Sequence, residues 1–340
     1  MAQRRNRQVR LKTRPSDIPQ VEHFEIVEVP VPDPSTGQVL VRNIYLSVDP
    51  AMRGWVSAVA NYFDPVALGV VMRSLAVGRV EESRHPDFYP GDYVTGMFGW
   101  QDYAVVDGKA IQRKVDGSGL PLSTCLGVLG LNGLTAYFAL LDIGQPKASE
   151  TVVVSTAAGP VGSCVGQIAK IKGCRTVGIA GGPDKARMCV EEFRYESAVD
   201  YRADDFDSAF DAACPEGVDV YFDNTAGHVS DAVMRRLNVG ARVVVCGTSS
   251  IASWDPPPQG PRVERHLLVK RARMQGFLIF DYAQRYAEAL RELEAWVRSG
   301  QIHYREDILE GIEQAPASIA GLYRGENLGK RLIRIAPEAC

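Results

Sequence analysis

Apolar and polar positions alternate in short runs through the first 120 residues. Phe24–Val31 sets Phe24, Ile26, Val27 and Val29 among polar neighbours, and the segment breaks at Pro30, Pro32 and Pro34. Gln38–Ser47 carries Val39, Val41, Ile44 and Leu46; Gly78–Glu82 and Tyr93–Phe98 are shorter and are parted by Pro90-Gly91-Asp92. Period-two runs with Pro and Gly between them predict antiparallel strands in a barrel-like domain. Leu126–Leu141 is apolar and long enough for one helix leading out of that domain.

Past residue 150 the pattern changes. Thr151–Ser155 is a continuous run suited to a buried strand, and Ser163–Lys172 places Val165, Ile168, Ala169 and Ile171 near helical spacing. Arg175–Ala180, Ala198–Tyr201, Val218–Asp223, Ala241–Gly247 and Arg273–Phe280 read as further strands. Asp184–Arg194 and Val229–Leu237 read as helices between them, and Tyr282–Ser299 sets Tyr286, Ala289, Leu290, Leu293, Trp296 and Val297 on one helical face. Strands alternating with helices at this spacing predict a parallel sheet covered on both sides. Leu332–Ile335 is a last strand candidate.

Composition narrows the class. At 340 residues the chain is long enough for two domains without disulfides or metals to staple them. Its formal net charge of -3 gives no basic surface for nucleic acid or an anionic membrane. No apolar stretch approaches the about 18 residues of a membrane span. The basic start, Met1 to Arg10, leads into no apolar region and does not read as a signal peptide. The seven cysteines are odd in number and form no CxxC pair, so a reducing, cytoplasmic setting is expected.

The strongest chemical signal is Ala157-Ala158-Gly159-Pro160-Val161-Gly162, a G-x-G-x-x-G turn with Ala at its first position, set between a strand and a helix. Gly159 permits close approach of a pyrophosphate, Gly162 permits close packing of helix on strand, and the helix start offers N–H groups to phosphate. A tight turn without a ligand is the plainer alternative. An NAD site usually has Asp or Glu at the end of the second strand to hold the ribose hydroxyls. Here that strand runs into Gly181-Gly182-Pro183, and the first acid, Asp184, is followed by Lys185 and Arg187. Absence of an acid plus nearby cations fits the 2′-phosphate of NADP. Lys185 is the best placed, with Tyr201 and Arg202 as neighbours; for each cation a solvated helix face is the alternative.

These residues carry a family resemblance. The order of a small barrel, the Gly-rich turn and a return to the barrel resembles the medium-chain dehydrogenase/reductases. It is most similar to their zinc-independent branch of prostaglandin reductases, leukotriene B4 dehydrogenases and plant double-bond reductases. The motifs are Leu46–Gly54, Ala157–Ser163, Gly166–Lys170, Val199–Tyr201, Tyr221–Asn224, Gln275–Phe277 and Glu326–Lys330, spread over nearly the whole chain. The resemblance implies a doubly wound Rossmann sheet inserted into a GroES-like β-barrel domain, with residues 126–298 binding NADP and residues 1–125 and 299–340 forming the catalytic domain. It implies NADPH-dependent reduction of the C=C bond of an enone or enal by a homodimer. Carried onto this chain, Ala158, Gly159, Val161 and Gly162 line the pyrophosphate, and Gly181, Lys185 and Tyr201 meet the 2′-phosphate. Asn224, Cys246 and Gly247 lie along the cofactor, Phe277 beside the nicotinamide, and Asn327 and Gly329 reach it from the returning segment. The chain departs from the pattern at Ala51, where many relatives have Tyr, and at Thr248–Pro258, which lacks a Tyr-Asn pair.

Hydride addition to the β-carbon leaves charge on the carbonyl oxygen, which calls for a hydrogen-bond donor, and a proton for the α-carbon. Tyr62, Asn43 and Ser253 are the catalytic candidates, and Trp55, Trp254 and Tyr282 are candidate walls for a flat substrate; surface or core packing explains each equally well. A zinc dehydrogenase shares the architecture but needs Cys, His or acidic ligands. This chain has scattered histidines and Gly69-Val-Val-Met72 where those enzymes often carry Gly-His-Glu, so no metal is expected. A quinone reductase, a hydroxy-lipid dehydrogenase and a non-catalytic NADPH-binding protein are the alternatives.

Overall fold

The structure is a computed structural model that describes residues 4–59, 62–115, 119–251 and 256–338. The chain divides into two compact units, one made of the residues up to Leu126 and from Glu306 onward, the other spanning Gly127–Arg305.

The first unit is mostly strand: β1 (Arg5–Leu11), β2 (Phe24–Pro30), β3 (Gln38–Ser47), β4 (Ala76–Ser83), β5 (Tyr93–Gly96), β6 (Tyr103–Asp107) and β7 (Ile111–Val115), with the short helix α1 (Met52–Trp55) after β3. β1 and β2 form an antiparallel pair. β1 is not legible as a strand because most of its residues are polar. Its buried positions are Asn6, Val9 and Leu11, and Arg7 spends its charge on the Asp102 carboxylate at 2.8 and 3.0 Å.

The second unit holds β8 (Thr151–Ser155), β9 (Arg175–Ala180), β10 (Ser197–Asp200), β11 (Val218–Asp223), β12 (Leu237–Val245) and β13 (Arg273–Gly276). Its helices are α2 (Leu131–Phe138), α3 (Pro160–Ile171), α4 (Pro183–Glu191), α5 (Phe206–Ala213), α6 (Gly227–Met234), α7 (Glu264–Lys270) and α8 (Tyr286–Arg298). All strand pairs are parallel, and the order β10-β9-β8-β11-β12-β13 is the doubly wound Rossmann order, with its reversal between β8 and β11. Every residue of β8 is buried, as a central parallel strand requires.

After Arg305 the chain returns to the first unit with β14 (Glu306–Glu310), α9 (Ala315–Arg324) and β15 (Lys330–Arg334), completing a seven-stranded sheet in the order β14-β15-β3-β4-β5-β7, with β6 also on β3. Lys330 is buried there. Its ammonium donates to Asp49 Oδ1 at 2.6 Å, Ser47 Oγ at 2.8 Å and the Val48 carbonyl at 3.0 Å, so the cation is fully hydrogen-bonded where water is excluded.

Two expected helices differ. The apolar 126–141 run is no single helix: the chain turns at Gly127–Gly130, and Gly133 packs so closely that a Cβ would stand 1.9 Å from the Val128 carbonyl oxygen. Past Phe138 the helix widens into a π turn over Ala139–Gly144. The expected Tyr282–Ser299 helix begins at Tyr286, after a tighter 3-10 segment, Ile279–Arg285.

Candidate nucleotide site

The Gly-rich turn lies at the carboxyl end of β8. Thr156 takes the left-handed conformation at φ +52°, uncommon for a β-branched residue, and its carbonyl accepts the Gly159 N–H at 2.9 Å. A Cβ on Gly162 would stand 2.3 Å from the Thr156 oxygen and 2.9 Å from the Ala157 Cα, both backbone atoms that cannot swing aside. Ala157 replaces glycine at the first position because β9 makes room for it: a Cβ on Gly178 would come within 2.9 Å of its methyl. Gly159 caps α3, Pro160 opens it with a preset φ, and no side chain caps the helix. Its first-turn N–H groups are therefore available to an anion beside Ala158 and Val161. On the far side, buried Tyr195 lies against the helix, donating to the Gly162 carbonyl at 2.6 Å, and a Cβ on Gly166 would fall within 2.1 Å of its ring.

At the end of β9 a Tyr201 ring atom lies 2.9 Å from where a Cβ of Gly181 would stand, and Gly182 sits at φ +99°. Asp200, inside the Val199–Tyr201 motif, accepts from the Gly182 N–H at 2.7 Å and the Arg202 N–H at 2.9 Å, so its Oδ1 is engaged by backbone. Lys185 is part-exposed in the first turn of α4. Arg187 pairs with Asp184 in solvent, and the Arg202 guanidinium lies 5.7 Å from the Tyr201 ring.

Across the sheet reversal, Asn224 donates its amide to the Ser155 carbonyl at 2.7 Å, and its own N–H goes to Ser155 Oγ at 2.8 Å. The buried Asp223 carboxylate accepts from the N–H groups of Thr225 and Ala226, both at 2.9 Å, from Tyr221 at 3.0 Å and from Ser230 at 2.6 Å. Its carbonyl takes the N–H groups of Cys246 and Gly247, which brings those two residues beside Asn224. Burial, reinforced by Asp223, pushes the Cys246 thiol up to about 12, so it stays protonated at neutral pH. Phe277 donates its N–H to the Val245 carbonyl at 3.1 Å, and its ring lies 5.0 Å from Tyr282, which in turn stacks on Phe138 at 5.0 Å.

Known proteins match this arrangement along the chain. Residues 7–114 match the family described as the N-terminal domain of oxidoreductase, and residues 160–295 the family described as zinc-binding dehydrogenase. The NADPH-dependent curcumin reductase of Escherichia coli (strain K12) is 48% identical over 337 residues, 98% of this chain and 97% of that protein. The chain belongs to the medium-chain dehydrogenase/reductases, in their zinc-independent branch. The NADP(+)-dependent 2-alkenal reductase of Nicotiana tabacum is 36% identical over 339 residues, 98% of each chain. The structure of CurA from Vibrio vulnificus in complex with NADPH superposes with a TM-score of 0.91 at 42% identity, over 98% of this chain and all of that one. Among the described residues, no three His, Cys, Asp or Glu side chains of this family member gather as metal ligands.

In the first unit two candidates need correction. Asn43 is fully buried and directs its amide hydrogens to the carbonyls of Gly99 and Gln101, at 3.4 and 2.9 Å, so it has no donor left for a substrate oxygen. Trp55, 4% exposed, belongs to the apolar core of its unit rather than to a substrate wall. Tyr62 remains 44% exposed, with its ring 5.4 Å from Phe63. Asn327 folds back on its own turn, donating to the carbonyl of Gly329, which sits at φ +86°. Ser253 and Trp254 lie outside the described residues.

Gly162→Ala is expected to cost about 1–3 kcal/mol of stability from overpacking against fixed backbone, read by urea unfolding, and to weaken NADPH binding. Stability and affinity equal to the parent protein would contradict the tight-turn account.

Proposed function

We propose that this protein uses NADPH to reduce the C=C bond of α,β-unsaturated ketones and aldehydes by conjugate hydride transfer, without zinc. One observation carries the cofactor choice: β9 runs into Gly181-Gly182 and presents no acid to a ribose at its end, and the nearby Asp200 turns one carboxylate oxygen, Oδ1, to the backbone N–H groups of Gly182 and Arg202. The enone reaction rests on that site together with the curcumin and alkenal reductases that the chain resembles.

In this reading residues 127–305 hold the nucleotide and the other unit carries substrate. The turn at Ala158–Gly162 receives the pyrophosphate, and Gly181, Lys185 and Tyr201 surround the 2′-phosphate. Asn224, Cys246 and Gly247 line the middle of the cofactor, and Phe277 and Tyr282 flank its nicotinamide; the family resemblance counts Asn327 and Gly329 among the cofactor's contacts. Bound NADPH supplies the hydride, which goes to the substrate β-carbon. Tyr62 donates a hydrogen bond to the carbonyl oxygen as charge develops there, and Tyr62 or water delivers the proton to the α-carbon. A cytoplasmic location belongs to the same reading and rests on cysteine usage; the six cysteines described are free thiols.

The active form is a homodimer joined through β13. This strand is an edge of the six-stranded sheet, all its residues are exposed, and on α7, the helix that precedes it in the chain, Leu268 and Val269 are 78% and 53% exposed. An open edge with apolar neighbours is stabilised by a cover of its own kind. Light scattering at micromolar concentration is expected to give twice the chain mass; a monomer mass overturns this.

With NADPH deuterated at the transferred position, label is expected at the β-carbon of the product, and with ordinary NADPH in D2O at the α-carbon. Label at a new carbinol carbon would mean carbonyl reduction instead. Lys185→Ala is expected to weaken NADPH about ten-fold to a hundred-fold, the loss of one charge-assisted contact, and to leave NADH nearly unchanged. Equal loss for both cofactors would misplace the adenosine end.

A further inference from the structure

The reversal of the six-stranded sheet brings together two rings that are far apart in the chain. Tyr201 follows β10 on one side of the reversal, and His228 stands in the first turn of α6, after β11, on the other. Their ring centres lie 5.6 Å apart, edge to face. The Tyr201 N–H donates to the Ala180 carbonyl at 3.0 Å, and its ring lies over Gly181, where a Cβ would stand 3.0 Å from the phenol oxygen. His228 is set in place by its neighbours. The Ala226 N–H is bound to the Asp223 carboxylate, Gly227 takes φ +63°, Val229 is buried, and Ser230 donates to Asp223 Oδ2 at 2.6 Å.

The imidazole itself is exposed, and among the described residues neither of its nitrogens has a hydrogen-bond partner. The same end of the sheet carries cations. The Arg202 guanidinium lies 5.7 Å from the centre of the Tyr201 ring, and Lys185 stands in the first turn of α4, which starts beyond Gly182. Asp200, the carboxylate at this point, has its Oδ1 turned to the Gly182 and Arg202 N–H groups. In a doubly wound sheet the adenosine ribose lies at the end of the second strand, here β9 with Gly181 beyond it. A phosphate on that ribose comes beside the Tyr201 hydroxyl, and a side chain that touches the Tyr201 ring from the β11 side is within reach of it.

We propose that His228 is a specificity-determining residue for NADPH over NADH: its imidazole donates a ring N–H to the 2′-phosphate from the far side of the sheet reversal. An imidazole offers one N–H donor when neutral and two when protonated. A dianion beside it favours the protonated form, which makes the bond charge-assisted. NADH presents only a hydroxyl there, and the exposed imidazole then stays with water. The inference rests on the placement of the 2′-phosphate beside Gly181, Lys185 and Tyr201, and it adds a contact from an element remote in sequence from all three.

The test is a fluorescence titration of NADPH and of NADH, at neutral pH and low salt, into the parent protein, His228→Ala, His228→Arg and Lys185→Ala. His228→Ala is expected to raise the NADPH dissociation constant about five-fold or more, less than a buried contact because water competes at an exposed site, and to move that of NADH by less than about two-fold. His228→Arg, which keeps a cationic donor, is expected to hold NADPH within about two-fold of the parent. An NADPH constant unchanged in His228→Ala overturns the proposal. Equal loss of both cofactors in that variant also overturns it, since the imidazole would then pack on the part they share. A loss in His228→Arg as large as in His228→Ala overturns the ionic contact. Lys185→Ala separates this inference from the reading beneath it: a loss confined to NADPH keeps the 2′-phosphate where it is placed, whatever His228 does, and an equal loss of NADPH and NADH removes that placement.

Discussion

The nucleotide end of the second unit depends on one buried carboxylate. Asp223 ends β11 at the reversal of the sheet, where strands on either side lead away in opposite order and leave a gap at their carboxyl ends. Its oxygens gather donors from Tyr221, Thr225, Ala226 and Ser230, and Ser155 approaches from β8 at 3.3 Å. A charge removed from water is tolerable only with such a set of donors, and each donor is correspondingly fixed in direction. The 223–227 loop follows: Ala226 and Gly227 are held at positive φ, and the Asn224 and Thr225 carbonyls accept from Ser249 and Ser250. The carboxylate orders the loop that follows Asn224, while the Asp223 backbone carbonyl accepts the Cys246 and Gly247 N–H groups and sets them beside Asn224.

The glycine turn on β8 is the complementary half. It works by exclusion of side chains, whereas the Asp223 knot works by saturation of polar groups. Ser155 joins the two, since its carbonyl and hydroxyl both bind Asn224 and the next residue is the left-handed Thr156. The polar and steric constraints thus meet at the point where a doubly wound sheet binds ligands.

Much of this was legible in the sequence where interactions are local. Thr151–Ser155, Arg175–Ala180 and Val218–Asp223 read directly as strands because a buried parallel strand is a continuous apolar run bounded by turn residues. The Gly-rich turn was legible because its geometry admits only small residues. What stayed hidden depends on partners distant in the chain. β1 looks polar until Asp102 is brought to Arg7. Asn43 reads as an available strand amide until Gly99 and Gln101 fold over it. Asp223 was visible within the Tyr221–Asn224 motif, but its role needed Ser155 and Ser230. Lys330 and Asp49 stand in separate motifs, and only the sheet pairing of β15 with β3 makes them one ion pair.

The most direct test of the account is the NADPH dissociation constant of Asp223→Asn, measured by fluorescence titration beside Asp211→Asn, an exposed carboxylate of the same unit. Replacing one oxygen of Asp223 by an amide sets donor against donor, a loss of about 1–3 kcal/mol in the loop's order. The account predicts a dissociation constant raised about ten-fold or more for Asp223→Asn, and one within about two-fold of the parent for Asp211→Asn. A folded Asp223→Asn protein that binds NADPH as tightly as the parent would contradict it.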